Sequence, residues 1–235
     1  MSVAVDRAPR STGRAAPGRL AATRASADAP PTRHEWAKRS FDVALSGVGL
    51  AVSWPVWGLV ALAIWIDDGR PVFYSQDRVG QGGRVFRVWK FRSMITDAER
   101  LGARQARAGD DRITGAGRWL RATALDELPQ LWNIFRGDMS FVGPRALRPG
   151  EIEVGGDGRH ELLEDVPGFE ARCRVRPGLT GVAQIYASRD LPRRQKFRYD
   201  RVYITQQSFG LDVRLIVLSF WITFRGAWET RGTKV

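Results

Sequence analysis

The sequence has almost none of the side chains that build disulfides or histidine-rich metal sites. Its 235 residues include one cysteine, Cys173, and two histidines, His34 and His160. A single cysteine cannot form a disulfide within the chain, so a reducing, cytoplasmic environment fits the composition best. Two histidines argue against a histidine-rich metal site, and any bound metal is expected to be a hard cation held by oxygen atoms.

Acidic side chains are too few to balance the basic ones. Asp and Glu total 25 against 37 Lys and Arg, which gives a formal net charge of +12. This excess predicts a polyanionic partner, either a nucleic acid or an anionic membrane surface. A membrane-tethered nucleic-acid-binding protein is therefore an alternative. Only the net charge supports it, since the sequence contains no recognised nucleic-acid-binding signature.

Large apolar side chains are nearly absent from residues 1–33. This segment is rich in Ala, Arg, Ser, Thr, Gly and Pro, and it cannot bury enough surface to offset the entropy lost on ordering. We predict a disordered basic tail without the early apolar run of a secretory signal. Residues 227–235 are assigned to a short C-terminal tail.

Charge is absent from one long segment. The 24 residues from Val43 to Ile66 carry none, and as a helix they would measure about 36 Å, longer than the ~30 Å core of a bilayer. Residues 34–68 are therefore assigned to a membrane helix. The alternative is a buried helix in the core of a soluble domain.

A proline interrupts this segment near its middle. Pro55 lacks a backbone donor and clashes with the preceding turn, so we predict a break between two halves. Neither half can span a bilayer alone, and Ser53 is placed to satisfy the carbonyls freed at the break. Two topologies follow: a kinked spanning helix, or a re-entrant hairpin with both ends in the cytoplasm. Lys38 and Arg39 before the segment favour the hairpin.

Residues 69–226 have the patterns of a folded domain. The β-prone runs Val72–Tyr74 and Val85–Phe91 flank a glycine-containing turn, which predicts a β-hairpin. Its second strand leads into Lys90 and Arg92, two cations that together predict a phosphate contact. The apolar run Leu215–Phe224 is too short to span, so it is either core or a helix at the membrane interface.

The strongest chemical signal is a pair of adjacent carboxylates, Asp126 and Glu127. Arginines neutralise phosphate oxygens, while one carboxylate attacks or holds a metal and the other moves a proton, so this pattern suits a site that handles phosphate. Taken alone, an acidic pair at a helix start is better explained by favourable interaction with the helix dipole. The arginines that flank the pair are Arg118, Arg121, Arg136 and Arg145.

Two loops contain closely spaced glycines. Glycine and proline residues typical of turns occur in both Gly137–Arg145 and Arg176–Gly181. Because glycine has no side chain, these loops are predicted to let the backbone approach a ligand closely.

Seven segments occur in one order between residue 38 and about residue 226: Lys38–Asp42, the Pro55 break, Gln76–Gly80, Lys90–Met94, Leu125–Gln130, Gly137–Arg145 and Arg176–Gly181. Any one of them is a weak signal. Together they resemble the bacterial sugar transferases, the monotopic polyprenyl-phosphate phosphoglycosyl transferases that start polysaccharide and glycoconjugate synthesis.

The resemblance implies both a fold and a reaction. The fold is α+β and mostly α, with a re-entrant membrane hairpin, a small β-hairpin and interfacial amphipathic helices, at the cytoplasmic face of the bacterial inner membrane. The reaction moves a sugar 1-phosphate from a nucleotide diphosphate sugar, usually a UDP-sugar, to undecaprenyl phosphate. It proceeds through a covalent phosphosugar–aspartate intermediate, and no nucleic acid takes part.

The resemblance also assigns roles to residues. Asp126 is the nucleophile, and Glu127 either helps to bind Mg²⁺ or accepts the proton of the lipid phosphate, so that both carboxylates are candidate metal ligands. The family often has Pro where Ala146 follows the Gly-Pro-Arg segment, which leaves that loop less rigid here. The expected ligands for phosphate or nucleotide are Lys90, Arg121 and Arg145, with Arg92 and Arg118 as second choices.

The identity of the sugar and the oligomeric state stay open. The residues that bind the sugar hydroxyls are expected in 151–174 or 187–198. The sequence of these segments contains no pattern that distinguishes one sugar from another. A magnesium-dependent hydrolase of nucleotide sugars, using the same carboxylates without a lipid acceptor, is a further alternative.

Overall fold

The computed structural model describes residues 33–96, 98, 110–154, 160–188 and 191–225. The C-terminal tail assigned from the sequence lies outside these residues, as does the N-terminal tail except for Arg33. The helices are α1 (Arg33–Asp68), α2 (Gly115–Ala122), α3 (Gln130–Arg136), α4 (Phe169–Arg172), α5 (Val182–Tyr186), α6 (Arg193–Gln206) and α7 (Phe209–Phe224). The strands are β1 (Phe73–Val79), β2 (Val85–Phe91), β3 (Ser140–Val142), β4 (Ile152–Val154), β5 (His160–Leu162) and β6 (Gly178–Thr180).

The described residues form a mostly helical fold with three small sheets, which confirms the predicted α+β, mostly α class. β1 and β2 pair antiparallel, β3 and β6 pair parallel, and β4 and β5 pair antiparallel. The predicted β-hairpin is therefore present, and β1 continues further toward the turn than its apolar residues indicated. Helices α3, α5 and α7 pack around β3 and β6 to form the largest core cluster.

Helix α1 runs without interruption from Arg33 to Asp68 and includes Pro55. The two halves predicted on either side of Pro55 thus belong to one continuous helix, and the predicted re-entrant hairpin is not confirmed. The Ser53 hydroxyl accepts a hydrogen bond from the indole nitrogen of Trp57 at 3.1 Å, which differs from its predicted role as a donor to freed carbonyls. One proline removes only one backbone hydrogen bond, and the turns on both sides of it pack against the rest of the protein.

The N-terminal part of α1 is tied to the domain by charged side chains. Lys38 Nζ donates to Asp212 of α7 at 2.8 Å. Arg39 donates to the carbonyls of Ile134 and Phe135 at 2.6 and 2.7 Å, and so satisfies groups at the C-terminal end of α3. This end of α1 is thus fixed to both α3 and α7.

The C-terminal end of α1 is tied to the same domain. The Asp67 carboxylate accepts a hydrogen bond from the backbone N–H of Ala116 at 2.8 Å, at the start of α2. The Arg92 guanidinium donates to the carbonyl of Asp68 at 2.7 Å. Both ends of α1 therefore contact the same folded unit.

Much of α1 remains apolar and exposed. The helix is long and apolar enough to cross a membrane, although little of its apolar part is buried. Helix α7, which covers the predicted C-terminal apolar run, has one face in the core and another exposed. The core interpretation is confirmed for the buried face, and the location of the helix at a membrane interface stays a prediction. The large apolar residues exposed on these two helices include Val52, Trp54, Leu59, Ile66, Val217, Phe220, Trp221 and Phe224.

The two glycine loops pack against each other. A Cβ added to Gly178 would lie 2.0 Å from the backbone nitrogen of Gly143, and one added to Gly143 would lie 2.3 Å from the carbonyl oxygen of Arg176. Only glycine fits such contacts. The close approach that these glycines permit is between the loops themselves, through the pairing of β3 with β6, and the sequence did not indicate this contact.

Candidate active site

Asp126 and Glu127 lie in a single 3₁₀ turn, Leu125–Glu127, between α2 and α3. The turn begins at Ala124, which adopts the left-handed conformation with φ of 55°, an uncommon backbone state for a residue with a side chain. No side chain caps this turn or the start of α3. Helix capping, the ordinary explanation of an acidic pair, therefore does not describe these residues.

Asp126 is buried, with 7% of its surface exposed. Burial raises the pKa of Asp126 to about 6, with Glu127 acting in the same direction and with Lys90 and Arg121 acting against it. A carboxylate with this pKa is largely ionised at neutral pH yet poorly hydrated. Weak hydration favours attack on an electrophile, because fewer water contacts must be lost.

Glu127 is held as an anion by the cations around it. Lys90 Nζ lies 2.5 Å from Glu127 Oε1. Burial alone would raise the pKa of Glu127, but Lys90 and Arg145, together with hydrogen bonds from Lys90 and Gln130, outweigh it and keep that pKa well below its usual range. The two neighbouring carboxyl groups thus have pKa values displaced in opposite directions, as is common where acid and base roles are divided.

Glu127 and Lys90 line a small, open cleft at the protein surface. Three cationic side chains, Arg78, Lys90 and Arg145, face one carboxylate there, and Asp126 lies next to Glu127 in the adjoining turn. The excess of positive charge matches a ligand with two or more phosphate charges. The remaining lining residues are Val88, Gln130, Met139, Ala146, Gly178 and Leu179.

The β-hairpin explains how Arg78 and Lys90 reach the same cleft. Tyr74 pairs with Lys90, and Arg78 pairs with Phe86. Side chains two residues apart on a strand share a face, and so do directly paired residues, which puts Arg78 and Lys90 on one face of the hairpin. Arg78 belongs to the family-like segment Gln76–Gly80, but no role was predicted for it. The alternation of side chains along the predicted hairpin could have placed it on the same face as Lys90.

Arg145 is exposed at the cleft, and its backbone is held by a buried ion pair. Arg172 donates from Nη2 to the carbonyl of Arg145 at 2.7 Å and from Nε to Asp200 at 2.7 Å. The ring of Phe197 lies 4.4 Å from the Arg172 guanidinium carbon. The loop that carries Arg145 is therefore anchored to α6.

The other predicted phosphate ligands are not all brought together. Arg121 lies close enough to Asp126 to lower its pKa. Arg92 is buried and bonded to the carbonyls of Asp68 and Gly69, at the end of α1. Arg118 is exposed on α2, and neither Arg92 nor Arg118 lines the cleft.

Asp126 and Glu127 are the candidate metal ligands, and their number limits the kind of site. The described residues contain no group of three or more His, Cys, Asp and Glu side chains placed to hold a metal. Mg²⁺ commonly binds through one or two carboxylates, with water and substrate phosphates completing its shell. Two adjacent carboxylates beside a cationic cleft fit that arrangement and do not fit a cage built from protein ligands alone.

Curated proteins with similar sequences are named either as undecaprenyl-phosphate sugar phosphotransferases or for exopolysaccharide production. An undecaprenyl-phosphate glucose phosphotransferase from Komagataeibacter xylinus is 45% identical over 77% of this chain and 35% of its own length. A UDP-N-acetylgalactosamine-undecaprenyl-phosphate N-acetylgalactosaminephosphotransferase from Aeromonas hydrophila is 34% identical over 80% of this chain and 43% of its own length. An exopolysaccharide production protein from Rhizobium leguminosarum is 40% identical over 76% of this chain and 90% of its own length.

The region matched by the family model contains every described residue of this chain. The chain thus spans less than half the length of the first two relatives. The family model for the bacterial sugar transferases matches residues 33–226, from the first residue of α1 to just beyond α7. That region contains the adjacent carboxylates Asp126 and Glu127 and the cationic cleft. The chain therefore belongs to the bacterial sugar transferase family.

Proposed function

We propose that this protein transfers a sugar 1-phosphate from a UDP-sugar to undecaprenyl phosphate and so initiates the synthesis of a polysaccharide or glycoconjugate. The observation that carries this proposal is the buried Asp126 beside Glu127, with Lys90, Arg121 and Arg145 around the pair. The names of the relatives support the same substrates, since they include undecaprenyl phosphate with either glucose or an N-acetylgalactosamine donor.

In the first step, a carboxylate oxygen of Asp126 attacks the β-phosphorus of the UDP-sugar. A bond forms between that oxygen and phosphorus while the bridging P–O bond to the α-phosphate breaks, and UMP leaves with the electron pair. The sugar 1-phosphate is then attached to Asp126 as an acyl phosphate. Lys90 and Arg145 offset the charge on the phosphate oxygens during this displacement.

In the second step, an oxygen of undecaprenyl phosphate attacks the same phosphorus. The bond to Asp126 breaks, the carboxylate is restored, and the product is a lipid diphosphate sugar. No net proton is released or consumed when both phosphates are fully ionised. Splitting the reaction lets a soluble donor and a lipid acceptor use one site in turn.

Asp126 and Glu127 would hold the magnesium ion, with the substrate phosphates completing its shell. When bound, the ion supplies charge neutralisation to the diphosphate and to the leaving group. Glu127 suits this role because its neighbours keep it ionised, and its ion pair with Lys90 fixes the carboxylate in the cleft.

The contacts at the two ends of α1 support a proposed arrangement on the membrane. Both contact the same domain, at Asp212 and at Ala116, so we place both ends at the cytoplasmic face with the apolar middle of the helix embedded in one leaflet. The exposed aromatic residues Trp132 on α3 and Trp221 on α7 suit the headgroup region, where Trp is enriched. This arrangement brings the cleft to the surface where a lipid phosphate lies.

The deciding experiment uses detergent-solubilised protein with a panel of labelled UDP-sugars, with and without undecaprenyl phosphate. We expect UMP release in turnover amounts only with the lipid, and label retained on Asp126 without it. Asp126→Asn should abolish both signals, whereas Asp77→Asn, which alters an exposed carboxylate on the other face of the hairpin, should retain them. Continuous UMP release without lipid would identify a hydrolase instead, and the panel itself identifies the sugar.

A further inference from the structure

The side chain of Asn133 in α3 bonds to the backbone of strand β2. Its Oδ1 atom accepts a hydrogen bond from the backbone N–H of Trp89 at 3.1 Å, and its Nδ2 atom donates to the carbonyl of Arg87 at 2.9 Å. Strand β2 pairs with β1 on one side, and no other described strand pairs with it. One amide side chain therefore satisfies backbone groups on the outer edge of β2, as a neighbouring strand would.

Asp138 fixes the orientation of this amide. Asn133 Nδ2 also donates to Asp138 Oδ2 at 3.2 Å. A carboxylate accepts hydrogen bonds and does not donate them, and only the NH2 end of an amide donates. The NH2 group is thus directed toward Asp138 and the carbonyl of Arg87, which leaves the amide oxygen for the N–H of Trp89.

Asn133 is also fixed within its own helix. Only 1% of its surface is exposed, and its backbone carbonyl accepts from the N–H groups of Gly137 and Asp138 at 3.1 and 3.0 Å, where α3 ends. A buried amide that loses its partners is costly, so these bonds persist in the folded protein. Asn133 therefore determines where the middle of β2 lies relative to α3.

The bonded segment of β2 leads directly to Lys90. Lys90 follows Trp89, and its Nζ atom lies 2.5 Å from Glu127 Oε1. Glu127 belongs to the turn that precedes α3, the helix that carries Asn133. The Asn133 side chain thus links the strand that carries the ammonium group to the helix that follows the carboxylate.

Phe91 fixes the chain on the other side of Lys90. It is 1% exposed and packs with Val60 of α1 and Leu120 of α2 in one core cluster. A strand held at one residue can still rotate about that residue. The bonds from Asn133 to Arg87 and Trp89 remove this freedom, so the backbone of Lys90 is held from both directions.

We propose that Asn133 is a positioning residue: by bonding β2 to α3, it holds the Lys90 ammonium group against Glu127 and beside Asp126. This assignment rests on the proposed function, in which Lys90 offsets the charge on the phosphate during displacement. Asn133 does not line the cleft, so it acts on the reaction only through Lys90. A misplacement of about 1 Å at a reacting centre can lower a rate about 100-fold.

The test is a double-mutant cycle of Asn133→Ala and Lys90→Met. It measures the single-turnover rate at which a labelled UDP-sugar modifies Asp126. We expect Asn133→Ala to slow this step by about tenfold to 100-fold. In the Lys90→Met background, the same substitution should change the rate by less than about twofold, because the group that Asn133 positions is already absent. Equal effects of Asn133→Ala in both backgrounds would overturn the assignment.

Ile222→Ala is the control for a general loss of stability. Ile222 is fully buried in α7 and does not line the cleft, so its truncation should destabilise the protein and leave the rate of the folded protein within about twofold. A rate loss equal to that of Asn133→Ala would overturn the positioning role. If Asn133→Ala fails to fold, Asn133→Asp decides by the same cycle, since it keeps the acceptor for Trp89 and loses the donor to Arg87.

Hydrogen–deuterium exchange of residues 85–91 tests the contact without any enzymatic activity. The backbone amide of Trp89 should exchange about tenfold faster in Asn133→Ala than in the wild-type protein, the scale of one lost hydrogen bond. Unchanged exchange would show that Asn133 does not hold β2 and would overturn the assignment. Wild-type protein without lipid-dependent turnover would instead refute the proposed function. The exchange result is independent of turnover, so the two failures are distinguishable.

Discussion

Lys90 and Glu127 are joined by an ion pair of 2.5 Å that connects β2 to the turn carrying Asp126. Both side chains are mostly buried, with 21% and 25% exposed, so the cost of desolvating the two charges offsets much of their attraction. Its effect is on chemistry, because Lys90 lowers the pKa of both members of the carboxylate pair. The hairpin therefore opposes the effect of burial on the pKa of Asp126, the proposed nucleophile.

The first prediction concerns pH. Asp126 must be ionised to attack, and its pKa is raised to about 6, so activity should fall as the pH drops through about 6. The Lys90 ammonium lowers the pKa of Asp126, and Lys90→Met removes that charge. The loss of activity at acidic pH should therefore occur at a higher pH in this variant. A pH profile of kcat/KM measures the shift. Arg87→Gln should leave the limb in place, and an unmoved limb in Lys90→Met would contradict the coupling.

The second prediction concerns the metal. Since Asp126 and Glu127 supply only two carboxylates, a magnesium ion bound there depends on substrate phosphates and should exchange readily. Excess EDTA should therefore stop UMP release, and added Mg²⁺ should restore it. Calorimetric titration with Mg²⁺ should show tighter binding when UMP is present. Full activity in EDTA would show that the carboxylates act without a metal.

The third prediction concerns the buried ion pair behind the cleft. Arg172→Ala leaves Asp200 buried without its partner, which should destabilise the fold by about 3–5 kcal/mol. Arg194→Ala removes an exposed pair with Glu161 at 3.9 Å and should cost about 0–1 kcal/mol. Unfolding curves in detergent compare the two. Equal costs would mean that Arg172 does not hold the Arg145 loop through Asp200.

The fourth prediction concerns the packed glycine loops. A Cβ at residue 178 would overlap the backbone of Gly143, so Gly178→Ala should destabilise the protein by about 1–3 kcal/mol through overpacking. Gly210 is the control, since no atom lies within 4 Å of an added Cβ there. Gly210→Ala within α7 should be neutral or stabilising by up to ~1 kcal/mol. Melting temperatures of the two variants provide the comparison, and similar values would contradict the loop contact.

The fifth prediction concerns topology. Cys173 is buried, so a cysteine introduced as Ser26→Cys or Arg87→Cys should report its own position to a membrane-impermeant maleimide. We expect both to react in inside-out vesicles and neither in intact cells, because both ends of α1 are tied to one domain. Adding Pro55→Ala should not change this result, since the polar contacts at the two ends remain. Labelling of Ser26→Cys from outside would indicate a spanning helix.

Local patterns were sufficient for the β-hairpin, whereas the choice of Asp126 and Glu127 needed the order of all seven family-like segments. Strand propensity on both sides of a glycine turn depends on neighbouring residues alone, and the structure confirms the hairpin. The dyad was recognised from the resemblance of ordered segments, since an acidic pair alone has a commoner explanation in helix capping. The structure then placed Lys90, 37 residues earlier, in contact with Glu127.

Other features depended on contacts distant in sequence. Arg92 and Arg145 both lie in family-like segments and were both predicted to bind phosphate, yet Arg92 bonds to the end of α1 while Arg145 faces the cleft. Which way each arginine faces depends on where helices and loops pack. The continuity of α1 through Pro55 is of the same kind, because packing on both sides of the proline outweighs the lost hydrogen bond.

The sequence by itself determined the class of fold, the apolar helix, the hairpin and the residue pair on which the proposed chemistry rests. These depend on composition, periodicity and the order of short segments, all of which are local. Only the tertiary structure decided which cations surround Asp126 and Glu127, that Arg78 belongs to the cleft, and that both ends of α1 meet one domain. Electrostatic and packing energies act between side chains close in space, and that closeness is created only when the chain folds.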